Sequence, residues 1–514
     1  MKIHDVKAEQ KSGDLSKEDQ LAYKIAEIAY RAKEVALDPD AVEMAKCRLI
    51  DNAAISIGAI NQYAVAVARD KALSSEGTGK ATIYGIPPER KFDPSRAAFA
   101  NAVAVRYLDQ DDTYLAAEYS HPDDNISPLL AVAQQLDVDG QDFLRGIIVA
   151  YEIHVALVGT GNGTGICLHK HKVDHMTHIA AASAAGISSM LGLSIDQTYH
   201  AINFAVHNAV SSRQSRKGDI GAQKEFVPGF SAQISIDAVD SAMRGLKGPN
   251  PVYEGVDSII RRFLDGREDN NAAYKVELAE AGKDALRNIL ITYPKEHAFE
   301  YQGQAIIDMT LDLAKDVGEN PADKIKSITL KTSHHTHHVI GTDANDPQKI
   351  DPDAPRGTLD HSIMFAIART LQIGEWHHER TYNIADGQKD ELRSLMHKVT
   401  TKFDQKWEDA YHSQDPKVQA FGGKLIVELA NGKVIEKEKA RANAHCYGDT
   451  PWGRTQYIGK FERLCDGIIS DAQKTKFFES VHDLENLTSK QFGTLTPHVD
   501  LIKLEGVSTK GIFG

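Results

Sequence analysis

Arg106-Tyr107-Leu108-Asp109-Gln110-Asp111-Asp112-Thr113-Tyr114-Leu115-Ala116-Ala117-Glu118-Tyr119-Ser120-His121-Pro122 places acids, a hydroxyl and a histidine directly behind an apolar stretch. Upstream, Asp93-Pro94 opens a helix with a capping carboxylate and a proline at the first helical position, and Ala97 to Leu108 supplies small apolar residues suited to tight packing. The pattern predicts a buried helix end beside Asp109. An isolated carboxylate is costly to bury, so Asp109 is either paired with a cation or kept for chemistry. A polar loop of capping aspartates after a helix is the plainer alternative. The chemical reading predicts that Asp109→Asn lowers turnover by about 10²–10⁴ with little loss of folded stability.

Outward from that stretch, 514 residues suffice for two or more domains, each with its own core. A chain with 42% hydrophobic and 25% charged residues is ordinary for a globular protein. Its net charge of -13 argues against a nucleic-acid binder, which needs a basic surface. Any anionic substrate must then be drawn in by local cations. The longest apolar runs, Ala97 to Val105 and Ile179 to Leu193, are too short or too polar to span a bilayer, so no membrane segment is expected. Residues 1 to about 16 read as a polar tail without signal-peptide or transit-peptide character, which sets the expectation of a cytoplasmic protein.

Helical periodicity begins at Leu21, Ile25, Ile28 and Ala29, and continues after Asp38-Pro39-Asp40 through Leu49 and Ile50. Helices follow at Leu129 to Leu136, at Phe143 to Val158 with Asp142 as its expected start, and at 178–192, 196–210 and 229–244. Beyond residue 285 the pattern changes. Residues 324–332 alternate as a half-buried strand does, and 424–436 forms a hairpin about Asn431-Gly432. Helices at 304–315, 360–371 and 387–398 lie between them, and helical segments return near 454–468 and 470–483. The expected fold is therefore mainly α with a smaller α/β lid: a helical domain of residues 1–285 and 450–514, and an α+β lid of 286–449.

Several other stretches carry candidate chemistry. Ser212-Arg213-Gln214-Ser215-Arg216-Lys217 and Gln223-Lys224 bracket a turn at Gly218 and Gly221, and such cations suit a di- or tricarboxylate, which arginine grips with two parallel hydrogen bonds. A solvated basic turn is the competing reading. The glycine-rich insertion Gly159 to Gly165 lacks the Lys-Ser/Thr ending of a phosphate loop and follows a helical pattern, so nucleotide binding is not expected. Cys47, Cys167, Cys446 and Cys465 are dispersed, forming neither a disulfide framework nor a close-spaced thiolate site, which argues against an iron-sulfur cluster. Ser333-His334-His335-Thr336-His337-His338 invites a metal reading. On a strand His335 and His337 would share one face, but no acid or cysteine within the run completes a site, and a polar rim or substrate-facing strand is the preferred reading. No metal or cofactor is expected.

The signature Arg106-Tyr107-Leu108-Asp109-Gln110-Asp111-Asp112-Thr113, followed by His121-Pro122, resembles the loop that marks the MmgE/PrpD family. Tyr114 to Asn125 is most similar to the branch that dehydrates 2-methylcitrate, and the likeness runs from Leu49 to Phe461. The resemblance implies a helical domain with a lid, assembly as a homodimer, and cofactor-free elimination of water from 2-methylcitrate in propionate catabolism. The product would be 2-methyl-cis-aconitate. Decarboxylation of cis-aconitate and epimerisation of iminodisuccinate are alternative family activities, and a noncatalytic carboxylate-binding protein is an alternative of another class. Carried over residue by residue, the resemblance implies catalytic roles for Asp109, Thr113, His121, His175 and Lys224. It implies substrate binding by Arg213, Arg216, Lys295, His297, His361 and Ser362. His175, opening a long helix, would be kept neutral by the helix dipole. His169, Lys170 and Lys172 just before it read as a solvated basic loop, and His445 as a further residue that could face substrate.

Overall fold

The computed structural model describes residues 1–8, 15–161, 163–216, 221–269 and 271–512. The first half is helical because its apolar positions recur at helical spacing. Its helices are α1 (Leu21–Arg31), α2 (Pro39–Gly58), α3 (Tyr63–Leu73), α4 (Pro94–Arg106), α5 (Ile126–Gln135), α6 (Gly140–Val158), α7 (Met176–Met190), α8 (Ile195–Asn208), α9 (Gln223–Met243) and α10 (Ile259–Phe263). Helix α7 is buried along its whole length and packs against α6, α8 and α9. That burial matches its composition of alanine, isoleucine, serine and glycine, with no charged side chain after His178. Where α6 crosses α7, Gly146 and Gly186 let the backbones meet: a Cβ on Gly186 would lie 2.7 Å from the Gly146 carbonyl oxygen.

Capping decides where the helices begin. Asp93 accepts the Arg96 N–H and starts α4 as its Asp-Pro sequence predicts. The expected start of α6 at Asp142 is corrected, because the cap is Asp139, whose side chain accepts the Asp142 N–H. Two aspartates three residues apart can exchange these roles in a sequence reading, and the donor position settles which is the cap. The polar-tail expectation is also corrected for residues 2–7, while residues 9–14 lie outside the described residues. Strand β1 (Lys2–Lys7) and the short strands β2 (Tyr114–Leu115) and β3 (Tyr119–Ser120) precede β4 (Ala273–Leu278); β1 pairs antiparallel with β4, and β2 with β3. Within β1 only Val6 is buried, so the strand is held mainly through backbone hydrogen bonds, which leave no apolar alternation to read.

Residues beyond 300 build a second layer. Helices α11 (Gln304–Val317), α12 (Pro321–Lys324), α13 (His334–Val339), α14 (Arg356–Leu359), α15 (Ile363–Ile373), α16 (Asp386–His397) and α17 (Gln405–Tyr411) accompany strands β5 (Ile325–Thr332), β6 (Val399–Phe403), β7 (Gly423–Leu429) and β8 (Val434–Lys439). The sheet order is β6-β5-β7-β8, with β5 parallel to β6 and antiparallel to β7. The Asn431-Gly432 turn joins β7 to β8, with Gly432 at a φ of 85°. Helices α18 (Arg454–Leu464) and α19 (Asp471–His482) then return to the first layer, where α18 packs on α2. Two large apolar clusters result, one holding Ile55, Phe143, Ala181 and Phe461, the other Phe299, Ile328, Phe365 and Leu425.

The histidine run is not a strand. Ser333 accepts the Thr336 N–H and caps α13, so His334 and His338 fall one helical turn apart and stack at 5.4 Å. His335 turns the other way, toward Tyr119 and Tyr411. Among the described residues, no helix is long and apolar enough to cross a membrane.

Candidate active site

Helix α4 ends at Arg106, and Asp109 turns the chain with a φ of 50°, a left-handed conformation that aspartate tolerates better than most residues. The turn aims its carboxylate into a cage of cations. Arg106 donates to Oδ1 at 3.0 Å, Lys224 from the first turn of α9 donates to Oδ2 at 2.7 Å, and Lys295 donates to Oδ1. His361 Nε2 stands 3.6 Å from Oδ2. Burial alone would raise the Asp109 carboxyl, but Lys224, Lys295 and Arg106 together hold it well below the usual carboxylate range. Lys224 is correspondingly pushed up: burial opposes its charge, and Asp109 and Asp360 more than restore it. Arg106 also donates to Asp111 at 2.8 Å.

The loop continues to Thr113, which exchanges backbone hydrogen bonds with Tyr293 and donates its hydroxyl to the Ser120 carbonyl at 3.2 Å. The β2–β3 hairpin then brings His121 back beside Asp109. Its Nδ1–H donates to the Asp112 carbonyl at 2.7 Å, which leaves Nε2 as the acceptor, unengaged by any described residue. Burial, with Arg106 and Lys295 near by, pushes His121 well below the ordinary histidine value, so the ring is neutral at pH 7.

Burial is the largest cause of the lowered pKa of His175; Asp174 opposes it and Arg216 adds to it. Both ring nitrogens are engaged: Arg216 donates to Nε2 at 2.7 Å, so Nδ1 carries the proton and donates to Ser120 Oγ at 3.0 Å. Arg216 itself grips Asp174, with Nε at 2.7 Å and Nη2 at 3.2 Å. Arg213 differs. Its guanidinium makes no hydrogen bond to a described residue, its nearest carboxylate being Glu118 at 3.9 Å.

These groups enclose a cavity of about 430 Å³. Asp109, Thr113, His121, His175, Arg213, Arg216, Lys224, Lys295 and His361 line it, whereas His297 and Ser362 do not. His297 is instead hydrogen-bonded to Asp308 at 2.9 Å, and Ser362 caps α15 through the Phe365 N–H. His445 is buried against the Tyr293 ring at 4.2 Å and also stands apart from the cavity. Lys217 and Gly218 of the basic turn, and Asn162 of the glycine-rich insertion, lie outside the described residues.

The solvated-loop reading of His169 is corrected, since it is half-buried against the cavity; Lys172 is exposed as expected yet reaches the cavity rim, and Lys170 pairs with Asp265 on the surface. His169 stacks on Tyr119 at 4.2 Å and contacts Glu118 at 3.1 Å. Burial works against its charge, yet Cys167 and Glu118 raise it to about 9. Arg106 and Glu300 also line the cavity without having been singled out, and so does His335 of the histidine run. Arg106 was legible as the residue three before Asp109, where a helix end brings opposite charges together. No sequence signal marked Glu300.

Four groups of described residues bring three metal-ligating atoms within 4.8 Å of one another, and the one at the heart of the cavity is Asp109, Asp360 and His361. Both Asp109 oxygens are already taken by ammonium groups, so this set is poorly suited to a cation. One of the four groups contains a cysteine, Cys167 beside Glu118 and His169.

Residues 19–271 match the model of the MmgE/PrpD N-terminal domain, and residues 297–486 that of the MmgE/PrpD C-terminal domain. The chain belongs to the MmgE/PrpD family. It is 27% identical to a probable 2-methylcitrate dehydratase of Saccharomyces cerevisiae over 67% of this chain, a match spanning 66% of the yeast protein, just under two thirds of its length. It is 26% identical to a mitochondrial 2-methylcitrate dehydratase of Yarrowia lipolytica over 78% of this chain and 76% of that one. A 2-methylcitrate dehydratase of Salmonella typhi is 27% identical over 66% and 69% of the respective chains. The cavity of this MmgE/PrpD protein draws Asp109, His121, His175 and Lys224 from the segment matching the N-terminal model, and Glu300, His335 and His361 from the segment matching the C-terminal one.

Proposed function

We propose that the protein is a hydro-lyase that removes water from 2-methylcitrate, giving 2-methyl-cis-aconitate in the methylcitrate cycle of propionate catabolism. One observation carries the reading: a neutral His121 with an unengaged Nε2 faces a cavity lined by Arg106, Lys172, Arg213, Arg216, Lys224 and Lys295. The relatives named 2-methylcitrate dehydratase support it further. Arg213 and Lys172 bind carboxylates of the tricarboxylate. His121 takes the carbon-bound proton that the neighbouring carboxylate makes weakly acidic, and Lys224 and Lys295 stabilise the charge that develops. Asp109 stays ionised and holds the two ammonium groups in place. His175, with both nitrogens occupied, orients Arg216 and Ser120. The proposal includes a helical body of residues 1–285 and 450–514 under a lid of 286–449, supported by the two apolar clusters. It also includes assembly as a homodimer in the cytoplasm.

The test is incubation of purified protein with 2-methylcitrate and, separately, with cis-aconitate. The expected outcome is an unsaturated tricarboxylate from 2-methylcitrate and no carbon dioxide from cis-aconitate. Carbon dioxide without dehydration would reassign the protein to decarboxylation. Binding without any product would make it a carboxylate-binding protein.

A further inference from the structure

We propose that Glu300 delivers the proton with which the departing hydroxyl leaves as water. The inference rests on the hydro-lyase reading of the same cavity and supplies the acid that reading lacks. Among the described residues, two carboxyl side chains line the cavity, Asp109 and Glu300. Asp109 is caged by cations and cannot hold a proton. Glu300 forms no ion pair with a described residue. Its Oε2 accepts the Gln302 N–H at 2.9 Å, and its own N–H donates to the Asp360 carbonyl at 3.0 Å. The first contact caps the helical turn Tyr301–Gly303 and fixes the side chain, while Oε1 has no hydrogen-bond partner among the described residues.

The charged and titratable groups around Glu300 come from every wall. Asp109 approaches from the loop after α4, Lys224 from α9, Lys295 from the segment after Tyr293, and Tyr411 from α17. Desolvation and the Asp109 charge raise the Glu300 carboxyl, the Gln302 N–H and the two lysines oppose them, and the result is about 7. An acid that keeps its proton near neutrality is matched to general acid work. In the step, the C–H electron pair becomes the new C=C bond as His121 Nε2 takes the proton. The C–O bond breaks toward oxygen, and the Glu300 proton converts the leaving hydroxide to water. Imidazolium and carboxylate remain, and proton exchange with solvent resets both.

The experiment compares wild type and Glu300→Gln on 2-methylcitrate and on the analogue carrying fluorine in place of the hydroxyl. Glutamine keeps the acceptor for Gln302, so the fold is retained. The expected result is a fall in kcat of about 10²–10⁴ on the hydroxy substrate, with KM within a few-fold. Fluoride leaves without being protonated, so the same variant should stay within about tenfold of wild type on the fluoro analogue. Wild-type kcat should also decline as pH rises through about 7, and that limb should vanish in the variant. Near-normal dehydration by the variant, or equal losses on both substrates, would overturn the assignment of Glu300 while leaving the hydro-lyase reading intact. A wild type that dehydrates no substrate would overturn both.

Discussion

Asp109 adopts a backbone conformation with a φ of 50° and places one carboxylate among Arg106, Lys224 and Lys295, all nearly inaccessible to water. Removing its charge would strand buried cations, and breaking a buried pair in this way costs about 3–5 kcal/mol. We therefore expect Asp109→Asn to lower the denaturation midpoint by an amount of that order together with its activity, measurable by urea titration beside a turnover assay. This replaces the expectation from sequence that stability would be spared, because the loop aspartate is the anion of a cage rather than a cap. The two arginines of the basic turn should separate cleanly. Arg213→Ala should weaken substrate binding by about 1.5–3 kcal/mol, the scale of a hydrogen bond to a charged group, and appear mainly in KM. Arg216→Ala should instead lower kcat and the midpoint, since Arg216 holds both Asp174 and His175. Steady-state kinetics on both variants checks the division.

Among the elements, α7 is the one around which the helical layer is built, and its crossing with α6 is close. A methyl group at position 186 would meet the Gly146 carbonyl at 2.7 Å and the Ala150 Cβ at 2.8 Å. Alanine gains about 1 kcal/mol of helix propensity over glycine, whereas overpacking a tight core costs about 1–3 kcal/mol. Gly186→Ala should therefore be destabilising by up to about 2 kcal/mol, read as a shift in thermal midpoint at unchanged KM. At this scale much was legible beforehand. Helical periodicity found α1, α2 and α6, alternation found β5, and Asn431-Gly432 found the β7–β8 hairpin. What escaped was set by contacts distant in sequence. Strand β1 exists because β4 offers it a backbone edge, and α13 exists because Ser333 caps a run whose side chains favour no single structure. The cavity was legible where its residues belong to quoted motifs, as with Asp109, His121, Lys224 and Arg213. Glu300 belongs to no motif, and only folding brings it to the cavity.

On the scale of the whole molecule, the cavity takes walls from both apolar layers, so a ligand that binds there ties one to the other. A tricarboxylate at a hundred times its Kd should add about 2.7 kcal/mol to stability. A rise in thermal midpoint that follows tricarboxylate concentration, and is lost in Arg213→Ala, would report this; no shift with any tricarboxylate would count against the site. The Asp109 loop also leans on the chain's later segments. Lys460 of α18 donates to the carbonyls of Gln110 at 2.7 Å and Lys295 at 3.1 Å, and it is the cation facing fully buried Asp51. That matters during biosynthesis. Lys460 follows Gln110 by 350 residues, so at a translation rate of roughly 5–20 residues per second the nascent loop waits on the order of half a minute for its strut. Until α18 leaves the ribosome, Asp51 lacks the ammonium group it faces in the folded protein, so the first layer is completed only after the second has been made.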